Sequence, residues 1–327
     1  MEIETAARLH LSLIDLNGSN NRIDGGIGIS INDPKLNIEC VENDSKDEVT
    51  FNDSSDTIIT NDALVEKILE TSKLVKNYYN IDSNFTFNIQ KIYPLHHGLG
   101  LGTQLALSIA KLITSCHSID ATTYSLAEVV HRGGTSGIGV ETFNSGGLIV
   151  DGGHKMDLKK RFAPSSTSRV SPPPVLARYD FPEKWNIILA IPSVSNKVSG
   201  KMEVSIFDSY TPIAQKDVEK IAYLTLMKLM PSVLEEDLND FSSAVNQIQD
   251  IGFKRVERDL QSSSIQEVLD YMDENDIPCR GMSSFGPTCF GITDRNVSKL
   301  EKDLLDYMGC NSKVILTNGK NNGATIK

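Results

Sequence analysis

The start of the chain alternates between apolar and polar positions. In IETAARLHLSL, residues 3–13, every second side chain is apolar or small, and Arg8 and His10 fall on the opposite face. A period of two residues is typical of a half-buried β-strand. A turn-like stretch, DLNGSNNRIDGG, separates this strand from a second apolar run, IGISI. NFTFNIQKI and WNIILAIPS have the pattern of further strands.

Helical spacing appears between and after these strands. Residues 61–80 carry apolar side chains at intervals of three and four, with Asn61 or Asp62 as the N-cap. Similar patterns cover the segments 214–250 and 262–274, and NVSKLEKDLLDYMG followed by SKVILT predicts a closing helix and strand. Mixed strands and helices in two blocks predict an α+β protein.

A long stretch of low periodicity divides the two blocks. KMDLKKRFAPSSTSRVSPPPVLARYDFPEK is rich in proline and serine, as connecting segments are. A chain of 327 residues is also long for a single core and suits two domains. We therefore predict a first domain over residues 1–160 and a second over 161–327.

Three glycine-rich turns interrupt the pattern, and the first leads directly into a helix. In HHGLGLGTQLALSIAKLI, residues 96–113, Gly98, Gly100 and Gly102 let the backbone bend tightly and approach a ligand closely. The helix that follows has apolar positions on one face and Gln104, Ser108, Lys111 and Ser115 on the other, which predicts that one face packs on the sheet. The N–H groups at its start are suited to bind an anion. The stretch is neither a Walker loop nor a dinucleotide fingerprint.

Composition and charge exclude several classes of protein. The chain is 39% hydrophobic and 23% charged, and its net charge of −11 argues against a nucleic-acid partner. No apolar run reaches membrane-spanning length, and no basic stretch followed by an apolar one stands at the N-terminus, so we expect a cytoplasmic protein with no membrane partner. The five cysteines are dispersed, which predicts reduced thiols and no zinc site.

At these turns the chain resembles a known superfamily. PLHHGLGLGTQLA is similar to the phosphate-binding motif of the galactokinase, homoserine kinase, mevalonate kinase and phosphomevalonate kinase (GHMP) superfamily, and RGMSSFGPTCFGIT is similar to its C-terminal glycine motif. The middle stretch from His131 to Gly147 also matches in order. The resemblance implies a two-domain fold with an N-terminal α+β domain and a C-terminal ferredoxin-like domain, and a site between them.

One departure from the superfamily bears on the reaction. Mevalonate-kinase-like members have Ser-Gly-x-Asp in the middle motif, and that Asp is their catalytic carboxylate. Here Ser136 and Gly137 keep their place, but Gly139 stands where the Asp belongs. Glycine can neither accept the proton of a substrate hydroxyl nor orient that hydroxyl. The departure weakens the interpretation as an ATP-dependent kinase.

A narrower resemblance points to a different reaction. The three motifs, together with ARLHLSLIDLNGSNNRIDGGIGISI and SPPPVLARYDFP, resemble the archaeal β-ribofuranosylaminobenzene 5′-phosphate synthase family of methanopterin biosynthesis. Membership implies a homodimeric glycosyltransferase that joins 4-aminobenzoate, or a close 4-substituted benzoate, to phosphoribosyl pyrophosphate. Such a phosphoribosyltransferase releases carbon dioxide and pyrophosphate, and uses Mg²⁺.

The candidate site residues follow from this chemistry. Loop N–H groups would hold pyrophosphate, arginines the 5′-phosphate or the benzoate carboxylate, and oxygen ligands the Mg²⁺. The predicted substrate-binding residues are Arg8, His10, Arg22, His97, Gly98, Gly100, Gly102, Thr103, Gln104, Arg132, Ser136, Gly137, Ser284 and Gly286. The predicted catalytic carboxylates are Glu141, Asp151 and Asp24, and the predicted metal ligands are Thr103 and Glu141.

Two other functions remain open from the residues alone. One is a small-molecule kinase of the GHMP type with an atypical catalytic motif. The other is a ligand-binding regulator that kept the fold and lost catalysis. Retention of three glycine motifs favours an enzyme, because glycine weakens the surrounding structure unless a close approach requires it.

Overall fold

The computed structural model describes residues 1–52, 62–165, 167–194 and 200–327. Its strands are β1 (Glu2–Asp15), β2 (Arg22–Asn43), β3 (Glu48–Phe51), β4 (Asn84–Lys91), β5 (Leu148–Asp151), β6 (His154–Lys155), β7 (Val175–Tyr179), β8 (Asn186–Ile191), β9 (Cys279–Met282), β10 (Cys289–Thr293), β11 (Lys313–Asn318) and β12 (Thr325–Ile326). Its α-helices are α1 (Asp62–Tyr79), α2 (Leu101–Cys116), α3 (Thr123–Val129), α4 (Ile138–Asn144), α5 (Lys201–Tyr210), α6 (Gln215–Leu224), α7 (Met230–Leu234), α8 (Leu238–Gln249), α9 (Gly252–Asp259), α10 (Ser263–Glu274) and α11 (Ser298–Met308), with a π-helical turn, Thr225–Leu229, between α6 and α7.

The first sheet is built around the long strand β2. Its main order is β12-β1-β2-β4-β3, while β5 and β6 also pair with β2, and β7 pairs with β5. The pairs are antiparallel except β3 with β4. β2 has room for several partners because its 22 residues pair with β5 near one end and with β4 near the other. The strand predicted for residues 3–13 is confirmed by β1.

The second sheet has the strand order of a ferredoxin-like fold. β11, β8, β10 and β9 lie side by side in that order, and each pair is antiparallel. In chain order this is a strand, a helical segment, two strands, a helix and a strand, which is the βαββαβ arrangement. The predicted α+β class is confirmed.

The predicted division at residue 160 stays a prediction. The strands of the second sheet all come after residue 185, in agreement with a second structural unit. Two later segments nevertheless belong to the first sheet, because β7 pairs with β5 and β12 pairs with β1. The connecting segment therefore adds a strand to the first sheet before the second sheet begins.

The helix after the first glycine turn is buried more fully than its pattern predicted. α2 packs against α1, α3 and α4 as well as β1. Gln104 and Ser108, expected on an exposed face, are completely buried. Gln104 lies between β1 and α4, because its amide accepts from Thr5 and donates to the carbonyl of Gly139. The helix predicted over 61–80 is confirmed as α1, whereas Asn61 lies outside the described residues.

The third glycine turn joins the two sheets. Between β9 and β10, the Ser283 hydroxyl donates to the carbonyl of Gly98 at 2.6 Å and accepts from the backbone N–H of His10 at 2.9 Å. The Ser284 N–H donates to the His10 carbonyl at 3.0 Å. The first and third glycine turns are therefore in contact, as the resemblance implied.

The described helices include none whose length and apolar character would let it cross a membrane.

We expect the core around α2 to dominate stability. Leu107→Ala removes a side chain with no exposed surface, so it should lower the free energy of unfolding by about 2–5 kcal/mol. Leu158→Ala is the matched change at a leucine that is 69% exposed, and it should stay within about 0.5 kcal/mol of wild type. Urea unfolding followed by circular dichroism measures both, and equal losses would contradict this account of the core.

Candidate functional site

Two adjoining cavities lie where the glycine turns meet. The first, called here the loop cavity, has a volume of about 200 Å³ and is lined by residues 94–103, Arg8, Lys67, Arg132, Glu203 and residues 284–286. The second, called the inner cavity, has a volume of about 160 Å³. Both cavities are lined by Arg8, Thr103, Glu203, Ser284 and Phe285. They therefore form one continuous site with a junction at these side chains.

The glycine turn takes a shape that other residues adopt only with strain. Gly98 and Gly100 have φ angles of +75° and +81°. A Cβ on Gly98 would lie 2.1 Å from the carbonyl oxygen of Ser283, and one on Gly100 would lie 2.9 Å from Cγ of Arg8. Side chains are thus excluded by the third turn and by β1. The bare backbone leads into the N-terminus of α2, where the N–H groups of Leu101 and Gly102 precede the first intrahelical bonds, which run from Thr103 and Gln104 to the Gly100 carbonyl.

Three positive charges surround this helix start. Lys67 Nζ and Arg132 NH1 lie 3.5 Å and 3.9 Å from the position that a Cβ on Gly102 would occupy, and Arg8 donates to the Gly98 carbonyl. Within the described part of the chain, none of these three cations forms an ion pair with a carboxylate. Clustered, unpaired cations are costly, and an anion at the helix start would compensate them.

The pKa values of these three side chains are lowered by burial and, for two of them, by neighbouring positive charge. Burial, with Arg132 nearby, lowers the pKa of Lys67 to about 8. Burial and the charge of Arg169 lower the pKa of Arg132, and burial lowers that of Arg8 to about 10. All three side chains are therefore mostly charged at neutral pH, in a place that penalises their charge.

The inner cavity combines apolar walls with carboxyl groups. Leu13, Phe207 and Phe285 supply apolar surface, and Glu203 and Glu257 line the same space. Burial and the neighbouring charge of Glu257 raise the pKa of Glu203 to about 7. Glu257 itself accepts from Lys254 Nζ at 2.8 Å, so its charge is compensated.

The position of the missing Asp lies in the wall of the inner cavity. A Cβ on Gly139 would approach Thr103 Cγ2 to 3.2 Å and its Oγ1 to 3.4 Å. Thr103 stands at the junction of the two cavities. A carboxylate at position 139 would therefore crowd the start of α2, and the glycine leaves that space open.

The structure brings together most of the predicted binding residues. The cavities are lined by Arg8, His10, His97, Gly98, Gly100, Gly102, Thr103, Arg132, Ser136, Ser284 and Gly286. His97 is oriented by a 2.7 Å contact between its Nδ1 and the Leu95 carbonyl. Their roles toward a ligand remain predictions.

Other predicted residues lie outside both cavities because their polar atoms bind neighbouring protein groups. Arg22 donates to the carbonyls of Gly152 and Gly153. The Gln104 amide lies between Thr5 and the carbonyl of Gly139, at 2.7 Å from the latter. Gly137 donates its N–H to Asp151 at 2.9 Å. These contacts hold the walls of the site.

The three predicted catalytic carboxylates also line neither cavity. Glu141 accepts from Tyr124, Asn144 and Ser145, so its oxygens are occupied away from the loop. Asp24 accepts from Lys159 Nζ at 2.9 Å and contacts His154 Nδ1 at 2.7 Å. Direct catalysis by these two residues, and metal binding by Glu141, are not supported by this arrangement.

Asp151 is buried behind the cavity wall. It accepts from the N–H groups of Gly137 and Gly153 at 2.9 Å and 3.0 Å, and from the Ser136 hydroxyl at 3.1 Å. Burial raises its pKa to about 6, against the lowering effect of these hydrogen bonds. Asp151 can therefore reach a ligand only through Ser136.

Sequence reasoning missed several residues of the site. Lys67, Glu203, Phe207 and Glu257 lie outside the glycine motifs. For Lys67 a signal exists, since it shares the face of α1 that buries Leu64 and Thr71, three and four residues away. A lysine on the buried side of a helix indicates a partner for its charge. For Glu203 and Glu257 no comparable signal is visible.

The described residues contain no cluster of three or more His, Cys, Asp or Glu side chains suited to hold a metal ion.

Comparison with known proteins gives relatives over the full chain, although no family model matches. The chain is 44% identical over 322 residues to a beta-ribofuranosylphenol 5′-phosphate synthase of Methanothermobacter thermautotrophicus, covering 98% of this chain and 97% of that protein. It is 38% identical to the protein of that name from Archaeoglobus fulgidus, covering 100% and 99%. A third, from Methanocaldococcus jannaschii, is 37% identical and is covered in full.

Solved structures confirm the fold. Homoserine kinase from Cytophaga hutchinsonii superimposes with a TM-score of 0.71 at 14% identity, over 100% of this chain and 97% of that chain. Mevalonate kinase from Methanococcus jannaschii gives 0.68 at 13% identity, over 98% of each chain. At such identities the likeness establishes a GHMP-kinase fold and nothing about the reaction.

We predict that Gly100→Val abolishes pyrophosphate binding, because its side chain collides with Arg8 and fills the loop. Gly309→Val is the control for backbone strain: its φ of +76° and ψ of −168° impose at least as severe a strain on valine, but no atom lies within 4 Å of the added Cβ. Calorimetry with pyrophosphate and Mg²⁺ should show binding to the control alone. Binding of equal strength to folded Gly100→Val would contradict the assignment of the loop.

Lys67 should make anion binding depend on pH. A bound anion favours the charged ammonium and raises the pKa of Lys67 above its value of about 8 in the free protein. Affinity for pyrophosphate should therefore fall as the pH rises through 8, because binding must then take up a proton. Lys67→Arg should remove this dependence while keeping affinity, and Lys67→Met should lower affinity at every pH. If all three proteins share one pH profile in calorimetry, Lys67 does not contact the anion.

Proposed function

The chain belongs to the family of the beta-ribofuranosylphenol 5′-phosphate synthases, and from this premise we propose that it is a decarboxylating phosphoribosyltransferase. In the proposed reaction phosphoribosyl pyrophosphate reacts with a 4-substituted benzoate to give a C-linked ribosyl product, carbon dioxide and pyrophosphate. The product named for the relatives contains a phenol, which makes 4-hydroxybenzoate the favoured acceptor and 4-aminobenzoate the alternative. We place the reaction in methanopterin biosynthesis.

The unpaired cations around the α2 N-terminus are the observation that carries the proposal. Pyrophosphate as a leaving group needs compensation of its charge, and Arg8, Lys67 and Arg132 supply positive charge beside free helical N–H groups. The compensation is already in place before the bond breaks, since the loop is fixed by its contacts with β1 and the third turn.

The inner cavity has properties suited to the aromatic acceptor. Phe207, Phe285 and Leu13 offer apolar surface for a ring, and Arg8 at the junction offers a partner for a carboxylate. The ring carbon that bears the carboxylate is the carbon that must join the sugar. A benzoate with its carboxylate toward the junction therefore presents that carbon to the donor.

The site residues fit a magnesium ion held mainly by the donor. Thr103 and Glu203 are hard oxygen donors at the junction of the cavities, which is the donor chemistry that Mg²⁺ prefers. When bound there, the ion would neutralise charge on pyrophosphate. Thr103 was predicted for this role, and Glu203 takes the place proposed earlier for Glu141.

The loop, the three cations and the apolar walls act in turn during the proposed transfer of the ribosyl group. The loop N–H groups and the three cations hold pyrophosphate while its bond to the sugar breaks. The apolar walls exclude water, which would otherwise capture the oxocarbenium-like sugar. The aromatic carbon forms the new bond, and loss of carbon dioxide restores the aromatic ring.

A GHMP-type kinase is the second candidate. Its support is the fold, which it shares with homoserine and mevalonate kinases. The absence of a side chain at Gly139, beside Thr103, counts against it. We therefore rank the transferase first. A homodimer remains a prediction.

We expect release of labelled carbon dioxide when the protein is incubated with carboxyl-labelled 4-hydroxybenzoate, phosphoribosyl pyrophosphate and Mg²⁺ without ATP. Pyrophosphate should form in equal amount, and excess chelator should stop both. Thr103→Ala should cost about 1–3 kcal/mol in kcat/KM, if its hydroxyl contacts the ion or the leaving group. Gly309→Val should retain activity and Gly100→Val should lose it.

Parallel reactions separate the alternatives. Carboxyl-labelled 4-aminobenzoate in place of 4-hydroxybenzoate identifies the acceptor. Formation of ADP from ATP and an alcohol, with no carbon dioxide from either benzoate, would instead establish the kinase. Full activity in excess chelator would contradict the magnesium assignment alone.

A further inference from the structure

A hydrogen-bonded series of three side chains connects the inner cavity with the buried carboxyl of Asp151. His10 Nε2 lies 3.2 Å from Ser136 Oγ, and Ser136 Oγ lies 3.1 Å from Asp151 Oδ2. His10 and Ser136 line the inner cavity, and Asp151 lies behind them. Space for the series depends on Gly26, because a Cβ there would come within 2.4 Å of Ser136 Oγ and 2.7 Å of Asp151 Oδ2.

The direction of these hydrogen bonds fixes the tautomer of His10. The single hydroxyl proton of Ser136 is donated to Asp151 Oδ2. Ser136 Oγ can then only accept from His10, so Nε2 of the imidazole must carry a proton. Burial and the nearby charges of Arg8 and Lys254 hold the pKa of His10 well below its usual value, so the ring is neutral. Nδ1 is left as a bare acceptor.

That acceptor has no partner within the described protein. His10 is only 7% exposed, and its Nδ1 makes no hydrogen bond. A buried polar atom without a partner is unusual in a native structure. Both backbone groups of His10 are bonded to the third turn, so the residue is held firmly in place. The arrangement fits a base whose partner is the substrate.

The proposed orientation of the acceptor brings its 4-substituent toward His10. If the carboxylate-bearing carbon faces the junction, the opposite end of the ring faces residues that line the inner cavity alone. Among these, Glu257 is already paired with Lys254, whereas Glu203 lies at the junction near the leaving group. His10 is therefore the best-placed proton acceptor at the far end of the ring.

We propose that His10 is the catalytic residue that accepts the proton of the acceptor's 4-hydroxyl, and that Ser136 and Asp151 are positioning residues that keep Nδ1 free to do so. This rests on the proposed function. The hydroxyl proton moves to Nδ1, and the ring oxygen becomes electron-donating. The ring carbon bonds to the sugar as the bond to pyrophosphate breaks. Carbon dioxide then leaves its bonding electrons in the ring, and the proton returns to the ring oxygen.

The test uses acceptors whose hydroxyl groups differ in acidity. His10→Gln keeps an N–H donor toward Ser136 but has no basic nitrogen. It should lower kcat with 4-hydroxybenzoate by about 100-fold, with little change in KM for phosphoribosyl pyrophosphate. With 3-fluoro-4-hydroxybenzoate, whose hydroxyl ionises more readily, the ratio of wild-type to variant kcat should be much smaller. Only loss of a proton acceptor produces this rescue.

Ser136→Ala gives a second, milder test that does not depend on the His10 variant folding. It should lower kcat with the same smaller ratio for the fluorinated acceptor, because the imidazole is no longer held in one tautomer. Ser242→Ala removes a buried hydroxyl of α8 that donates to the Leu238 carbonyl and lines neither cavity, and it should leave both rates unchanged.

The outcomes separate this inference from the proposed function. Equal loss with both acceptors, or no loss, overturns the role of His10 while the proposed function stands. Turnover of 4-aminobenzoate by wild type with none of 4-hydroxybenzoate also overturns it, because no hydroxyl proton is then moved. Failure of wild type with every benzoate overturns the proposed function itself.

Discussion

Three positive charges that pair with no carboxylate among the described residues are held around the start of one helix, and the elements around them have to keep them there. Burial penalises all three charges, and Lys67 is repelled by Arg132 as well, so the cluster opposes folding. It persists because well-packed elements fix each member: Arg8 stands on β1, Lys67 on the buried side of α1, and Arg132 just after the end of α3. The packing of the core therefore offsets the unfavourable free energy of these charges, as is usual where binding requires uncompensated charge.

The glycines of the site matter because neighbouring groups occupy the space that a side chain would need. At Gly98 the space of a side chain is taken by the Ser283 carbonyl, and at Gly100 by the Arg8 stem. Each contact joins a different part of the chain to the loop, so the loop is rigid although its sequence is flexible. Gly139 differs, because the resemblance to mevalonate-kinase-like members predicts an Asp there and the chain has no side chain at that position. A backbone of this fold can therefore be suited to bind phosphate groups and still lack the Asp that would orient a substrate hydroxyl for attack on a phosphate.

Much of the fold was predictable from local pattern. The strand β1 and the helix α1 were predictable from the alternation and the helical spacing in the sequence. The half-buried character predicted for β1 was wrong, because the residues from Thr5 to Ser12 are buried on both faces apart from the partly buried Arg8. The burial of Gln104 was not predictable, since it depends on β1 and α4, which supply its hydrogen-bond partners Thr5 and Gly139 only in the folded chain. For the site, the glycine motifs identified the loop. They did not identify Glu203 or Glu257, because those carboxyl groups reach the cavity only through tertiary packing. The position of Glu141 in a motif says nothing of the direction of its side chain, which accepts from Tyr124, Asn144 and Ser145, and its catalytic and metal-binding roles stay predictions.

The backbone of His10 has a mechanical consequence for the whole molecule. Its N–H and C=O groups both bond to the turn between β9 and β10, so the joint between the two sheets passes through a residue of the inner cavity. Any sliding of one sheet against the other displaces this residue before a strand is lost from either sheet. We accordingly expect partial denaturation to abolish activity at a denaturant concentration at which the circular dichroism spectrum still shows native strands and helices. The inner cavity as described therefore depends on contact between the two sheets.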